Sequence, residues 1–364
     1  MSSFRAALIG TGAIARSHAT ALQRETDVEL VAAADIRPEA VATFGETYGI
    51  AHLYTDVESL LREQHPDLVH ICTPPHTHCE LSVQCLEAGA WVLCEKPLAG
   101  SLAELDVIEA AEARSGTYCS SVYQWRFGNG AQHLKTLIDR GELGRPLLGT
   151  CQITWYRDDA YYAVPWRGSW QSELGGCTMI HGIHAIDLLL WLYGPWREVS
   201  AKIGTLDHDI EVEDVSLALI AFENGALATI TNSVVSPRQR STLRFDFQAA
   251  TVELEHLYNY RNEDWRYTLP ESSQRTADLA RWQDLPPETG RSLLGNQVAQ
   301  LLAAKRRGER PPTSGEGARR ALEFIASLYK SAMTGQIVER GSIRPGDPFY
   351  EAMNGLGSDG ESVA

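Results

Sequence analysis

Long apolar runs are missing from this sequence. No stretch approaches the ~18–20 apolar residues that a membrane-crossing helix needs. The opening segment Met1–Gly10 has one basic residue and an apolar run too short for a signal peptide. The expectation is a cytoplasmic protein without a membrane partner. Cysteine pairs at redox or metal spacing are missing too. The seven cysteines, Cys72, Cys79, Cys85, Cys94, Cys119, Cys151 and Cys177, form no C-x-x-C pair and are odd in number. They read as reduced, mostly buried thiols rather than a disulfide frame. Positive charge is in deficit: 32 Lys and Arg face 47 Asp and Glu, a formal net charge of -15. Such a surface argues against nucleic acid as a partner and leaves small neutral molecules open. The pair His76 and His78 does not by itself make a metal site, and no metal is expected. No serine sits in a nucleophile elbow, and no internal repeat is present.

What is present is a chain of 364 residues, 44% hydrophobic and 22% charged. That composition is ordinary for a globular protein, and the length suits two domains. The first third alternates strand and helix signals. Apolar runs at Ala6–Ile9, Leu30–Ala34, Leu68–Thr73, Trp91–Cys94 and Tyr118–Tyr123 read as strands. Between them lie helical segments near Ala13–Gln23, from Pro38 onward, and near His78–Ala88. Proline opening a helix and Gly89 closing one are position-specific signals. Ser101 with Glu104 reads as a capping box. This alternation predicts an α/β fold, with a Rossmann-type doubly wound parallel sheet over residues 1–124. After about residue 125 the pattern changes. A helix near Ala131–Arg140 precedes a long strand, Leu147–Tyr156. Val215–Phe222 and Ala226–Ser233 flank Glu223-Asn224-Gly225, a hairpin signal. Ser292–Arg307 and Gly315–Thr334 read as helices. Residues 125–354 are expected to form an α+β domain with a largely antiparallel open sheet, and 355–364 a disordered tail. A sheet with helices on one face needs cover on the other, which predicts a homodimer or homotetramer.

Parallel sheets bind ligands at the carboxyl ends of their strands. Gly10, Asp35, Thr73, Glu95 and Gln124 fall at such ends. Gly10-Thr11-Gly12-Ala13-Ile14-Ala15 fits G-x-G-x-x-G/A between a strand and a helix. The first glycine permits the turn, the second lets backbone approach a pyrophosphate, and the helix N-terminus offers free N–H groups. Asp35, at the end of the second strand, is placed to accept both ribose hydroxyls and to repel a 2′-phosphate. NAD is therefore favoured over NADP, although Arg37, next to Ile36, is able to accommodate a phosphate. Lys96, between Glu95 and Pro97, puts an ammonium where it can exchange a proton with a reacting oxygen. In the second domain His181, His184, Asp187 and Leu188 lie three and four apart, on one face of a helix. Asp187 is placed to orient His184. Trp155-Tyr156-Arg157, Tyr161-Tyr162 and Trp166-Arg167 supply ring platforms and donors suited to sugars.

Together these stretches resemble the family of glucose-fructose oxidoreductase, inositol dehydrogenase and rhizopine-catabolism oxidoreductases. The likeness is carried by Gly10–Ala15, Thr73-Pro74-Pro75 with His78, Ala88–Ala99 around Glu95-Lys96-Pro97, Gln124-Trp125-Arg126-Phe127, and Gly182–Leu192. It implies an NAD-dependent dehydrogenase acting on a hydroxyl-bearing carbon of a sugar, sugar derivative or cyclitol. It implies Lys96 as the central acid/base, Glu95 near the nicotinamide ribose, His184 on the substrate and Trp166-Arg167 beside the cofactor. The cofactor set is then Gly10, Thr11, Gly12, Ala13, Ile14, Asp35, Ile36, Arg37, Thr73, Pro74, Pro75, His78, Glu95, Lys96, Gln124, Trp166 and Arg167. The substrate set is Lys96, Arg126, Tyr156, Arg157, Tyr161, His181, His184 and Asp187, for a small polyhydroxylated partner. His78 is expected to cap its helix near the cofactor. One position departs: inositol dehydrogenases carry an aspartate four residues before this histidine, where Ile180 stands here. His181 is turned about 100° from it around a helix. That argues against myo-inositol and leaves other polyols. Two other readings stay open: an NAD-binding regulator without catalysis, and a glycosidase that retains NAD for redox-assisted cleavage.

Overall fold

The computed structural model describes residues 3–356. The chain forms two compact units, one running through Val122 and taking in Leu294–Arg319, the other made of Tyr123–Leu293 and the residues from Arg320 on.

The first unit alternates β1 (Phe4–Ile9), α1 (Ala15–Gln23), β2 (Val28–Ala34), α2 (Pro38–Tyr48), β3 (His52–Tyr54), α3 (Val57–Gln64), β4 (Leu68–Ile71), α4 (His78–Glu87), β5 (Trp91–Cys94), α5 (Leu102–Ser115) and β6 (Cys119–Ser121). The sheet order is β3-β2-β1-β4-β5-β6, and every pairing is parallel. Its central strands are near-continuous apolar runs because helices cover both faces. Pro38 stands at the first turn of α2, and Gly49 closes it in the left-handed region. Ser101 caps α5 by accepting from the Glu104 amide at 3.1 Å. The Glu104 carboxylate turns instead to the amide of Gly100, so the expected reciprocal capping box is displaced by one residue. The pair β3 and α3 was not among the expected elements. At three residues, only partly covered, β3 carries too weak an apolar pattern to signal itself.

The second unit contains α6 (Asn129–Asp139), β7 (Pro146–Tyr156), α7 (Asp159–Tyr162), a π-helical turn over Thr178–Gly182, α8 (Ile183–Tyr193), β8 (Trp196–Gly204), β9 (Val215–Phe222), β10 (Leu227–Ser233), β11 (Val235–Phe247), β12 (Thr251–His256), β13 (Trp265–Thr268) and α9 (Thr276–Gln283). The chain then forms α10 (Leu293–Arg307), α11 (Glu316–Thr334), β14 (Val338–Glu339) and α12 (Pro348–Glu351). The sheet order is β13-β12-β11-β7-β10-β9-β8-β14. Among the described residues only β10 and β7 pair in parallel; the other pairings of this sheet are antiparallel, as expected. The β9–β10 hairpin turns at Gly225, with φ 88°. One face carries α8. The outer row exposes Leu148, Leu217, Leu219 and Leu227.

The division departs from a single cut at residue 124. Helix α10 was expected in the second domain, yet its apolar stripe Leu294, Val298, Leu301 and Leu302 joins the core of Leu8, Leu22 and Trp91 in the first unit. The following segment lies along β6: Ser121 N donates to Thr313 O at 2.9 Å, and Gln297 Nε2 donates to Ser121 O at 2.7 Å. This gives the outer edge of β6 hydrogen-bond partners. All seven cysteines are free thiols, six of them buried. Among the described residues no helix is long and apolar enough to cross a membrane. Most of the expected disordered tail, residues 357–364, lies outside the described residues.

Candidate active site

The parallel register brings the strand ends of the first unit to one level. Ile9 pairs with both Ala34 and Ile71, Ile71 with Cys94, and Cys94 with Ser121. The residues that follow, Gly10, Asp35, Cys72-Thr73 and Glu95-Lys96, must therefore share an edge. Gly10 has φ 84°, and a Cβ there would meet the Cys72 carbonyl at 2.8 Å. Gly12 is the opposite case, with nothing within 4 Å of an added Cβ. Open space above Gly12, at the start of α1, is what close approach of a pyrophosphate requires.

Asp35 is held from two sides. Its Oδ2 accepts from the Thr11 amide (2.9 Å) and hydroxyl (2.8 Å), and its Oδ1 from the Arg37 amide (3.0 Å) and Nε (3.1 Å). Burial alone would raise its pKa, but the bonds from Arg37 and Thr11 prevail and hold it at about 2. Asp35 is thus an anion at neutral pH, aligned by the turn that carries Gly10 and Gly12. Ile36 is almost fully exposed, and Arg37 covers Asp35 from the solvent side.

At the end of β5 the Glu95 carboxylate accepts from the amide of Lys96 at 3.1 Å. Its other oxygen lies 2.9 Å from His18 Nε2, and His18 Nδ1 lies 3.0 Å from His70 Nδ1. Lys96 itself is half-buried. His78 does not cap its helix. Its ring lies 2.7 Å from the carbonyl of Pro97 and 2.9 Å from that of Thr73, so it ties together the loops after β4 and β5. Burial pushes the His78 pKa down, while those carbonyls pull the other way. His18 and His70, neither expected at the site, are both fully buried.

In the second unit Arg167 lies over the rings of Tyr161 (3.7 Å) and Trp166 (4.1 Å). It donates to the Tyr161 hydroxyl and, at 3.0 Å, to the buried Glu173. Burial pushes the Tyr161 phenol up to about 12, with Arg167 opposing. Tyr161 reaches His181 Nε2 at 3.3 Å, and His181 packs edge-on against Trp155. Arg157 spans Trp155 and Tyr161. His184 stacks on Trp125 at 5.6 Å and lies near Tyr258. The π-helical turn ends just before His184, so the even helical spacing expected for His181 and His184 is broken, and the two rings meet different aromatics. Ile180, in the same turn, is buried.

Residues 4–123 match the oxidoreductase family with the NAD-binding Rossmann fold, and residues 131–270 match the GFO/IDH/MocA C-terminal domain. This chain belongs to the GFO/IDH/MocA oxidoreductase family. It is 31% identical over 248 residues to glucose-6-phosphate 3-dehydrogenase of Bacillus subtilis, covering 63% of this chain and 67% of that protein. It is 26% identical over 355 residues to D-apiose dehydrogenase of Paraburkholderia graminis, covering 95% and 92%. The WlbA dehydrogenase of Chromobacterium violaceum, solved with NADH and UDP-GlcNAcA, superposes with a TM-score of 0.83 at 26% identity, covering 94% of this chain and 98% of that one.

Membership makes the chain an NAD-dependent oxidoreductase, and the residues present fit the cofactor. The turn at Gly10, the open space over Gly12 and the anionic Asp35 answer to a pyrophosphate and a ribose diol. Two expectations for a GFO/IDH/MocA substrate set need correction. Asp187, expected to serve His184, is gripped through both oxygens by Arg126, and both side chains are buried. Tyr156 follows Trp155 on one strand, so the two point to opposite faces. Trp155 faces the core and Tyr156 stands on the exposed outer row. Gln124 lies in a buried turn, Gln124–Phe127, within the second unit.

Proposed function

We propose that this GFO/IDH/MocA oxidoreductase oxidises a secondary alcohol, or the C1 hydroxyl, of a sugar, sugar derivative or cyclitol. The observation that carries the reading is the position of Lys96: half-buried, at the end of β5, on the same sheet edge as the Gly10–Gly12 turn and Asp35. The Gly10–Ile14 backbone and Asp35 would hold NAD, with Glu95 assigned to its nicotinamide ribose. When bound, NAD supplies the hydride acceptor. Lys96 Nζ takes the hydroxyl proton as the C–H bond releases its hydride. In the second unit Tyr161, Arg157, Arg167 and His181 offer ring faces and donors suited to a polyol, and His184 is assigned to the substrate. Arg126 and Asp187 neutralise each other and brace the Gln124–Phe127 turn against α8. The ionised Asp35 repels a 2′-phosphate and favours NAD over NADP.

The outer face of the second sheet, with Leu148, Leu217, Leu219 and Leu227 exposed, is proposed as the homodimer or homotetramer surface. Free thiols throughout suit a reducing, cytoplasmic setting.

The test is a panel of D-apiose, glucose 6-phosphate, D-glucose, myo-inositol and a UDP-linked sugar acid. Each is offered with NAD and with NADP, and the reduced cofactor is read by absorbance. Turnover of at least one sugar with NAD is expected. NAD binding without turnover of any of them would overturn the reading in favour of a regulator.

A further inference from the structure

The mechanism leaves two buried imidazoles unused. His18 on α1 and His70 on β4 are both fully buried, far apart in sequence, and in contact at 3.0 Å between Nδ1 atoms. His18 Nε2 meets Glu95 Oε1 at 2.9 Å, while Glu95 Oε2 accepts the amide of Lys96 at 3.1 Å. We propose that His70 and His18 are positioning residues, which fix the Glu95 carboxylate and through it the peptide that presents Lys96. The inference rests on the assignment of Lys96 as proton acceptor.

Of the arrangements open to two uncharged rings, one satisfies every contact. One proton is available between the two Nδ1 atoms. If His70 carries it, His18 Nδ1 accepts, and a neutral His18 must then be protonated at Nε2, where it donates to Glu95. The reverse arrangement turns a bare Nε2 lone pair toward the carboxylate. Burial and the neighbouring His18 hold His70 in its neutral form. His70 Nε2 has no hydrogen-bond partner among the described residues, so the chain ends in the core. Such a chain locks a tautomer and a carboxylate orientation, as outer partners of a functional group do.

Kinetics test the role with His18→Leu, His18→Gln and Lys96→Ala on the best sugar of the panel. Partners of this kind are worth about 10–100-fold, so His18→Leu is expected to lower kcat by that factor while the Kd for NAD moves less than about threefold. Gln keeps a donor near the Nε2 position and should regain most of the loss. If His18→Leu keeps at least half the native kcat, or if the Leu and Gln variants fall together with their thermal midpoints, the positioning role is overturned. Lys96→Ala separates the two ideas. A dead Lys96→Ala beside an active His18→Leu sinks only the positioning role, whereas an active Lys96→Ala sinks the proton-acceptor assignment itself. A readout independent of turnover is the ¹⁵N spectrum of histidine-labelled native protein. It is expected to show Nε2–H on His18 and Nδ1–H on His70; a bare Nε2 on His18 overturns the proposal.

Discussion

The two units build their functional groups in opposite ways. In the first, the groups follow strands of a parallel sheet, so topology alone delivers Gly10, Asp35, Thr73 and Glu95-Lys96 to one edge. In the second, Tyr161, Arg167, Glu173, His181 and Trp155 come from a strand, the short helix α7, a loop and a π-helical turn, and nothing in an antiparallel sheet predicts their meeting. Parallel pairing aligns all carboxyl ends, whereas antiparallel pairing alternates them. A site at a parallel edge is therefore readable from motif order, and a site on an antiparallel frame is not.

Four expected outcomes probe this contrast, beginning with the largest. Lys96→Ala should lower kcat by about 10²–10⁴-fold, or about 3–5 kcal/mol of barrier, while NAD binds as before by isothermal titration. Retained turnover would detach the chemistry from the parallel edge. Next, Arg126→Leu leaves the Asp187 carboxylate buried without its guanidinium, and should cost about 3–5 kcal/mol in urea unfolding. Tyr156→Ala, on the exposed row of the same unit, should stay within about 0.5 kcal/mol of native stability and leave KM unchanged. Equal effects of the two would restore Tyr156 to the site.

The third outcome concerns acid. His256, between Trp125 and Tyr260, is pushed by burial from 6.5 to about 4, with the Tyr258 backbone opposing. Its fold prefers the neutral ring, so the unfolded chain binds more protons over that interval. Its contribution is complete above pH 6.5 and is lost as pH falls toward 4. Between pH 7 and 4.5 the native protein should lose about 2 kcal/mol more than His256→Phe in matched urea titrations. Identical losses would remove His256 from the account. Burial also lowers His70 and His78 in the first unit, so some acid sensitivity should persist in the variant. The smallest effect separates two glycines. Gly10→Ala should destabilise the cofactor-free protein by about 1–3 kcal/mol, because its φ and the Cys72 carbonyl both exclude a side chain. Gly12→Ala should leave that stability unchanged and weaken only NAD binding. If Gly12→Ala unfolds the protein equally, the open space over Gly12 has no cofactor role.

Much of the first unit was legible because each signal is local. Continuous apolar runs mark covered parallel strands, Pro38 and Gly89 punctuate helices, and G-x-G-x-x-A needs no partner to be recognised. The displaced capping box at Ser101 shows the limit even there: residue types predicted a reciprocal pair, and a choice between two adjacent amides undid it. Along β7 the period of two already separates Tyr156 from Trp155, and the structure puts Tyr156 on the exposed face and Trp155 in the core.

The sequence by itself determined the alternating α/β pattern of the first unit, the glycine turn with Asp35 at the end of the next strand, the lysine at the end of β5 and the Asn224-Gly225 hairpin. These depend on periodicity and on backbone conformations that single residues allow. Tertiary structure alone decided that α10 returns to the first core, that Arg126 takes Asp187, that His184 follows a π-helical turn, and that His18 and His70 converge on Glu95. An apolar stripe specifies that a surface must be buried but not against what. A buried charge likewise specifies that it needs a partner, and only the packed chain selects which one.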